Sequence, residues 1–494
     1  MSAVETKGPL ARMLQPVRLD EPTGTSLARG GALSTIGLLA QGVLRFATAF
    51  FVGHIAGKSE LGVVASAIAT ATILALLWPT PTGSAASKFL ARARGEGNSA
   101  EIKSIAAHLR RRAIQTAVLL GLVSLPAWVL IDNGSWAGAV SVGALTIAYS
   151  GYSFTRGVQF GAGQVPRATA WDLTSVVLGL GGLLALLLAG VRGPALVLPL
   201  VLAYGLYALA GLPYGASGRP ARQRRRELDG FVALGAVGTL ASTGFLQLSQ
   251  IAAKLVGGDA DAGQYAAALN LATPASMLAA SLSLVLLPSL AEAWGRGDHA
   301  AFHAQTNSAT RALAVVMVAI FGSIIVCSRL LIEVIWGESY AAAQNVLPLL
   351  VVAVLATNLG VGSVNALTTR SQGGMLVTTG ASVLGMIVGV TMWLVVAPGM
   401  GIVGVAMGYL SGTVVIAAIP IGVAWRTGGH KWSLLFGKVV LGLSVVGGMF
   451  AAQRFADLPI LLDPAFALVF LVLWWLLNRP DVARLPIPRP WRRG

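Results

Sequence analysis

Apolar residues fill this chain in runs of about twenty, at roughly 33–55, 61–81, 113–131, 137–157, 171–190, 194–214, 231–255, 265–288, 312–332, 344–366, 375–397, 401–424, 434–453 and 459–477. A helical run of that length matches the ~30 Å hydrocarbon core of a bilayer. Barrel strands would instead alternate over about ten residues, and neither sheet edges nor irregular backbone can face lipid. The pattern therefore predicts an all-α polytopic membrane protein with about fourteen transmembrane helices.

Composition agrees. With 55% hydrophobic and 11% charged residues and a mean hydropathy of +0.75, the chain is too apolar for a soluble globular protein. A net charge of +16 could suggest nucleic acid, but the basic residues sit in the gaps between apolar runs. Of the 35 Lys and Arg, five fall in one set of alternate gaps and 29 in the other, Arg45 apart. The positive-inside rule then puts both termini in the cytoplasm of a cell-membrane protein, with no nucleic-acid partner. The first run is too long for the h-region of a signal peptide, so no cleaved leader is expected. Trp128, Trp136, Trp336 and Trp425 fall near run ends, where an interfacial belt would have them.

A duplication organises the chain. Ile55–Ile68 aligns without gaps on Val256–Leu269, 201 residues on, matching Gly57 with Gly258 and Gly62 with Gly263. Arg94-Gly95-Glu96 recurs as Arg296-Gly297-Asp298 at a spacing of 202, each time followed by about 12 residues too polar to span and then by a new helix after Arg112 or Arg311. Six spans per repeat give both copies the same orientation. The expected organisation is a cytoplasmic tail over 1–30, a six-helix bundle over 31–215, a basic linker over 216–230, a second bundle over 231–425, helices 13 and 14 over 426–478, and a basic tail over 479–494.

The first run, GALSTIGLLAQGVLRFATAFFVGHIAG, holds Arg45 about 18 Å from either surface. An arginine at that depth costs about 2.5–3.5 kcal/mol on insertion scales, so it needs water, a partner or an anion. Two readings stand side by side: a structural arginine bonding Gln41 one turn earlier, and an anion site using the bidentate fork. No Asp or Glu lies in the middle third of any run, and Asp172, Glu60 and Glu333 fall near ends; this favours an anionic over a cationic substrate. Gln247, Gln250 and Lys254 share one face of helix 7, with Lys254 close enough to the outer end to snorkel. Asn270, Asn358 and Asn365 suit interhelical hydrogen bonds or ligands. Arg156, Gln159 and Arg167 at the cytoplasmic end of helix 4 suit either a lipid headgroup or interfacial anchoring. Gly385 and Gly389, and Gly404, Gly408 and Gly412, repeat every fourth residue as close helix packing requires. Pro126, Pro274, Pro348 and Pro420 are candidate kinks or packing features.

LGLGG at 178–182 lies inside an apolar run with no strand before it, so it is no nucleotide loop, and the five His and one Cys show no metal spacing. No cofactor, metal or catalytic residue is expected. The external gaps, about 12 residues or fewer, leave no room for the catalytic loop of a membrane glycan polymerase or ligase, so the chain reads as a non-enzyme.

The first helix with its arginine and Gly62, the segment LPSLAEAWGRGDHAAFHAQTNSATRAL with Pro288 and Arg311, and IEVIWGESYAAAQNVLPLLVVA with Gly337 and Tyr340 together resemble the multidrug/oligosaccharidyl-lipid/polysaccharide exporter superfamily, and within it the Wzx-type polysaccharide repeat-unit flippases. The resemblance implies two six-helix bundles facing a central cavity, with two further helices outside that in related lipid II flippases hold the lipid tail. It implies a secondary transporter flipping an undecaprenyl-diphosphate-linked oligosaccharide to the outer leaflet by alternating access. Membrane lipids and polysaccharide assembly proteins are the other implied partners. Arg45, Gln41, Gln247, Gln250 and Asn270 would line the cavity, and Arg156, Gln159 and Arg167 would receive the headgroup. A lipid II flippase and a multidrug exporter of the same superfamily are the alternatives, although multidrug members usually have twelve spans.

Overall fold

The structure, a computed structural model, describes residues 17, 19, 27–132, 136, 138–456 and 458–482. Most of the expected N-terminal tail, and the basic tail with Arg484, Arg489, Arg492 and Arg493, lie outside the described residues. Every regular element among the described residues is helical. Among the described residues eleven helices are long and apolar enough to cross a membrane, so the chain is an all-α, multi-pass membrane protein.

In the first part of the chain α1 (Leu27–Phe51) ends in a π turn, followed by α2 (Lys58–Leu76), α3 (Pro79–Gly95), α4 (Ser99–Ile131), α5 (Ala139–Gly161), α6 (Val165–Leu188), α7 (Leu198–Gly211), α8 (Arg222–Thr239) and α9 (Phe245–Ala272). After these come α10 (Ser276–Gly295), α11 (His299–Val326), α12 (Ser328–Trp336), α13 (Ala343–Arg370), α14 (Gln372–Gly428), α15 (Ser433–Phe455) and α16 (Asp463–Val482). As one straight rod α14 would measure roughly 85 Å at 1.5 Å per residue, far beyond one bilayer crossing. It breaks instead at Gly401, φ +56°, as α9 breaks at Gly258, φ +74°; only glycine takes such angles without steric cost.

Two expectations about local structure change. The run at 61–81 is not one helix, because α2 ends at Leu76 and Pro79 starts α3 at its first turn, where a missing N–H costs nothing. The polar stretches before Arg112 and Arg311 are not separate segments either. They are the opening turns of α4 and α11, which run unbroken into the apolar part.

The repeated turn is real, but its register is 200 rather than 202. Gly97 (φ +69°) corresponds to Gly297 (φ +72°), and Asn98 N donates to Ala93 O as Asp298 N does to Ala293 O. Asn98 then caps α4 by accepting from Glu101 N, and Asp298 caps α11 by accepting from Ala301 N. The three-letter match from Arg94 was two residues out because it paired Gly95 with the turn glycine. Replacing Asn98 or Asp298 by alanine is expected to destabilise by about 1 kcal/mol each, as a lower thermal midpoint in detergent.

The described chain divides into two compact units, Met1–Ala266 and Ala267–Gly494. In the first, α3 crosses α5 so closely that a Cβ on Gly157 would overlap the Gly83 carbonyl, and one on Gly161 the Ala86 carbonyl. Below this crossing Phe89, Leu90, Ile105, Leu109, Phe154 and Val158 form an apolar core against Leu228 and Val232 of α8. The basic linker is thus partly the first turns of α8, its Arg224 paired with Glu101 at 2.8 Å.

In the second unit α13 and the two arms of α14 pack as the glycine spacing requires. A Cβ on Gly385 would overlap the Gly412 carbonyl, one on Gly404 the backbone of Ala397, and one on Gly408 the Trp393 ring. Trp393 Nε1 donates to Val405 O at 2.7 Å across the fold-back. Asn358 and Asn365 donate to Ser276 and Ser283 of α10, the interhelical role rather than the ligand one. α15 and α16 are fastened at both ends: Asp481 accepts from Arg311 (2.7 Å) and Lys438 (2.8 Å), and Arg329 donates to the carbonyls of Gln453 and Leu458. Between these clamps Phe470 covers Gly322, and Trp474 Nε1 donates to Val315 O.

Of the four tryptophans expected at an interface, Trp136 is 66% exposed, but Trp128 and Trp336 are buried and Trp425 stacks on Phe436. Among the proline positions, Pro126, Pro348 and Pro420 lie within helices, whereas Pro274 lies in the break between α9 and α10.

Candidate functional site

Arg45 lies in the second half of α1, near the middle of the apolar span Gly31–Ala56, and is exposed. A charge in a spanning helix requires water, a partner or an anion. Its Nη2 donates to Tyr149 Oη of α5 at 3.1 Å, and among the described residues it makes no ion pair. The bond to Gln41 expected of a structural arginine is not formed. Gln41 belongs to a second layer, its Nε2 donating to the carbonyl oxygen and Oδ1 of Asp172 at 3.3 and 3.4 Å and its Oε1 accepting from Tyr204 Oη at 3.2 Å.

Four tyrosines connect these layers. Tyr149 meets Tyr204 edge-on at 5.5 Å between ring centres, and Tyr152 packs on Tyr204 at 4.7 Å and on Tyr207 at 4.9 Å. Tyr149 and Tyr152 on α5, and Tyr204 and Tyr207 on α7, are each three residues apart and so share a helix face. That spacing was a legible signal for a polar aromatic cluster, and the sequence reading passed over it.

Asp172 corrects a second expectation. It lies near a helix end in sequence, yet it is 1% exposed and pressed against α1 at Gly37, where a Cβ would overlap its carboxylate. Arg156 Nε donates to it at 3.1 Å and Tyr152 Oη at 3.2 Å. The bundle therefore holds a buried carboxylate after all, although one already neutralised by an arginine.

The residues expected to receive a headgroup are committed inward. Arg156 spends its charge on Asp172, Gln159 is buried and accepts from Tyr207 Oη at 3.0 Å, and Arg167 donates to Ala210 O at 2.8 Å near the end of α7. Gln250 is buried and donates to Ala262 O across the break at Gly258, while Gln247 and Asn270 are half-buried. The structure thus brings Arg45, Gln41, Arg156 and Gln159 into one tyrosine-lined cluster in the first unit, and gives Gln250 a different task.

Lys254 does not snorkel. It is 3% exposed, bonded to Asp132 at 2.9 Å and to Asp259, with its ammonium over the Trp128 ring. Among the described residues no group of three or more His, Cys, Asp and Glu could hold a metal.

The fold has relatives among solved transporters. Structures similar to this chain include a multidrug resistance MATE family transporter of the MOP superfamily in an inward-facing conformation, at 16% identity and TM-score 0.64, covering 80% of this chain and 96% of that one. A multidrug resistance MATE family transporter of the MOP superfamily in an outward-facing conformation matches at 14% identity and TM-score 0.58, over 83% and 95%. A MOP superfamily transporter from Pyrococcus furiosus, described as having a binding pocket of reverse polarity that suggests a different function, matches at 14% and 0.57, over 81% and 95%. The chain therefore has the fold of the MATE transporters. Residues 113–345 match the family model described as polysaccharide biosynthesis protein. The search of curated proteins found no match.

Proposed function

We propose that this protein is a transporter that moves an anionic, lipid-linked glycan, an oligosaccharide on undecaprenyl diphosphate, from the cytoplasmic to the outer leaflet by alternating access. Arg45 carries the reading: it is an exposed cation deep in the first helix, with one hydrogen bond to a phenol and no counter-ion among the described residues. Its free N–H groups suit the adjacent oxygens of a diphosphate. The polysaccharide-biosynthesis family match over 113–345 supports the glycan. Fourteen spans, two parallel six-helix repeats and cytoplasmic termini belong to the same proposal.

The second reading, a multidrug exporter, is favoured by the fold comparisons, since similar solved structures are of multidrug transporters. Asp172 offers it little help. A cationic drug would have to displace Arg156, Tyr152 and Gln41 from that carboxylate.

Cells depleted of the protein and complemented with wild type or Arg45→Ala separate the two. Lipid-linked glycan is expected to accumulate on the cytoplasmic face on depletion, relieved by wild type and at least about tenfold less by the variant, as loss of a charge-assisted bidentate contact implies. Normal surface glycans combined with new sensitivity to cationic drugs would establish the second reading instead. Full rescue by Arg45→Ala would remove the arginine's role.

A further inference from the structure

We infer that Lys254, Asp132 and Asp259, together with the crossing of Gly62 and Gly263, form a latch that holds the outer ends of the helices closed and has to part once in each transport cycle. The inference rests on the reading of the protein as an alternating-access transporter. The face concerned is opposite the arginine-rich connections, and is the outer one by the charge distribution.

The first observation is reciprocal backbone contact between the two copies of the repeated turn. A Cβ on Gly62 would overlap the Asp259 carbonyl, and a Cβ on Gly263 would overlap the Lys58 carbonyl. Gly62 and Gly263 are equivalent positions of the duplication, each five residues after a turn glycine of positive φ, Gly57 and Gly258. The start of α2 and the second arm of α9 therefore cross backbone to backbone about a local two-fold relation, and both glycines are needed for it. Packing of this kind is close but carries no directional bond, so by itself it separates readily.

The second observation supplies what fixes it. Lys254 sits at the end of the first arm of α9, and its side chain is almost wholly buried, yet it reaches one carboxylate at the end of α4 and one beyond the break in its own helix. Asp132 is the residue that ends α4, and Asp259 follows the break at Gly258. Beneath the ammonium lies the fully buried Trp128 ring, 5.4 Å away. A lysine this enclosed, with two carboxylates and a ring face, is held by geometry in a way that surface pairs are not. Nearby Glu60 of α2 accepts from Gly193 N at 2.6 Å, tying the same helix end to the turn before α7.

None of these groups belongs to the Arg45 cluster. Asp132 and Asp259 remain partly open to solvent, so each can be rehydrated when Lys254 withdraws. Desolvated but breakable charge pairs are suited to a two-state closure, because the states differ by the pairs made and not by a graded deformation.

The test reads accessibility, with no substrate and no transport. In full-length protein with Cys327→Ser, a single Ser66→Cys, at a fully buried position two turns into α2, is labelled by a membrane-impermeant maleimide from the outer side of oriented proteoliposomes. Labelling is expected to be slow with Lys254 present, about tenfold faster or more with Lys254→Met, and slow again with Lys254→Arg. Lys254→Met leaves two carboxylates facing each other and could simply unfold the chain. The triple variant Lys254→Met/Asp132→Asn/Asp259→Asn removes that repulsion and is expected to express normally while still labelling fast. A triple variant as slow as the parent, or equal rates for Lys254→Met and the parent in folded protein, would overturn the latch. Either result leaves the glycan assay of Arg45 untouched, and failure of that assay leaves the labelling result standing.

Discussion

Asp172→Ala is expected to lower the stability of the first unit by about 3–5 kcal/mol, the usual cost of removing one partner of a buried ion pair. The carboxylate is enclosed by α1, α5 and α6 and accepts from Arg156, Tyr152 and Gln41. Without it, Arg156 keeps a charge whose Nη2 is already buried and unbonded, and its remaining favourable contact is the Phe160 ring at 4.8 Å. The loss should appear as aggregation on detergent extraction and a lower thermal midpoint. Because the penalty comes from the orphaned charge, Asp172→Leu with Arg156→Met should recover most of the stability. It should not recover full activity, since Gln41 then keeps only its bond to the main-chain carbonyl of residue 172 and is held less firmly against Tyr204, which packs beside Tyr149, the partner of Arg45. Recovery of both would make the ion pair a purely structural feature. A stable single Asp172→Ala would show that the carboxylate is not buried against Arg156.

Gly157→Leu is expected to prevent folding of the first unit. At this point α5 lies on α3 with backbone against backbone, and any side chain would have to occupy the place of the Gly83 carbonyl. Overpacking usually costs about 1–3 kcal/mol where flexible side chains can yield, and here the obstacle is main chain at both ends. Separating the helices would also open the core around Phe154 and Leu90. The measurement is the monodisperse yield after extraction, with Gly157→Ala as an intermediate case. A normal yield of Gly157→Leu would mean that the two helices are farther apart than described. Gly181→Leu, where nothing lies within 4 Å, is the control and should behave as wild type.

Much of the fold was legible because the bilayer restricts what a chain can do. Apolar runs of spanning length had to be helices, and the small-residue spacings of α14 became close crossings as read. The glycine pair 62 and 263 was visible as a repeat, though not as a mutual contact. Other features were misread for one common reason. Position along a helix says how deep a residue lies, but not what faces it. Asp172 and Lys254 both lie near run ends, which suggested contact with water, yet both are covered by segments distant in sequence: α1 and α5 over Asp172, the end of α4 over Lys254. The candidate site was legible only in part. Arg45 stood out as a charge in an apolar run, whereas its partner Tyr149 lies 104 residues away, and no local pattern encodes such a pairing.

The sequence by itself determined the solvent, the all-helical class and the repeated glycine turns, since these depend on composition, run length and spacing along one dimension. The tertiary structure decided which charges are neutralised. It left Arg45 open while closing Asp172 with Arg156 and Lys254 with two aspartates, because the cost of a charge in a low-dielectric interior depends on the groups within a few ångströms of it. Those neighbours are brought together only when the helices pack.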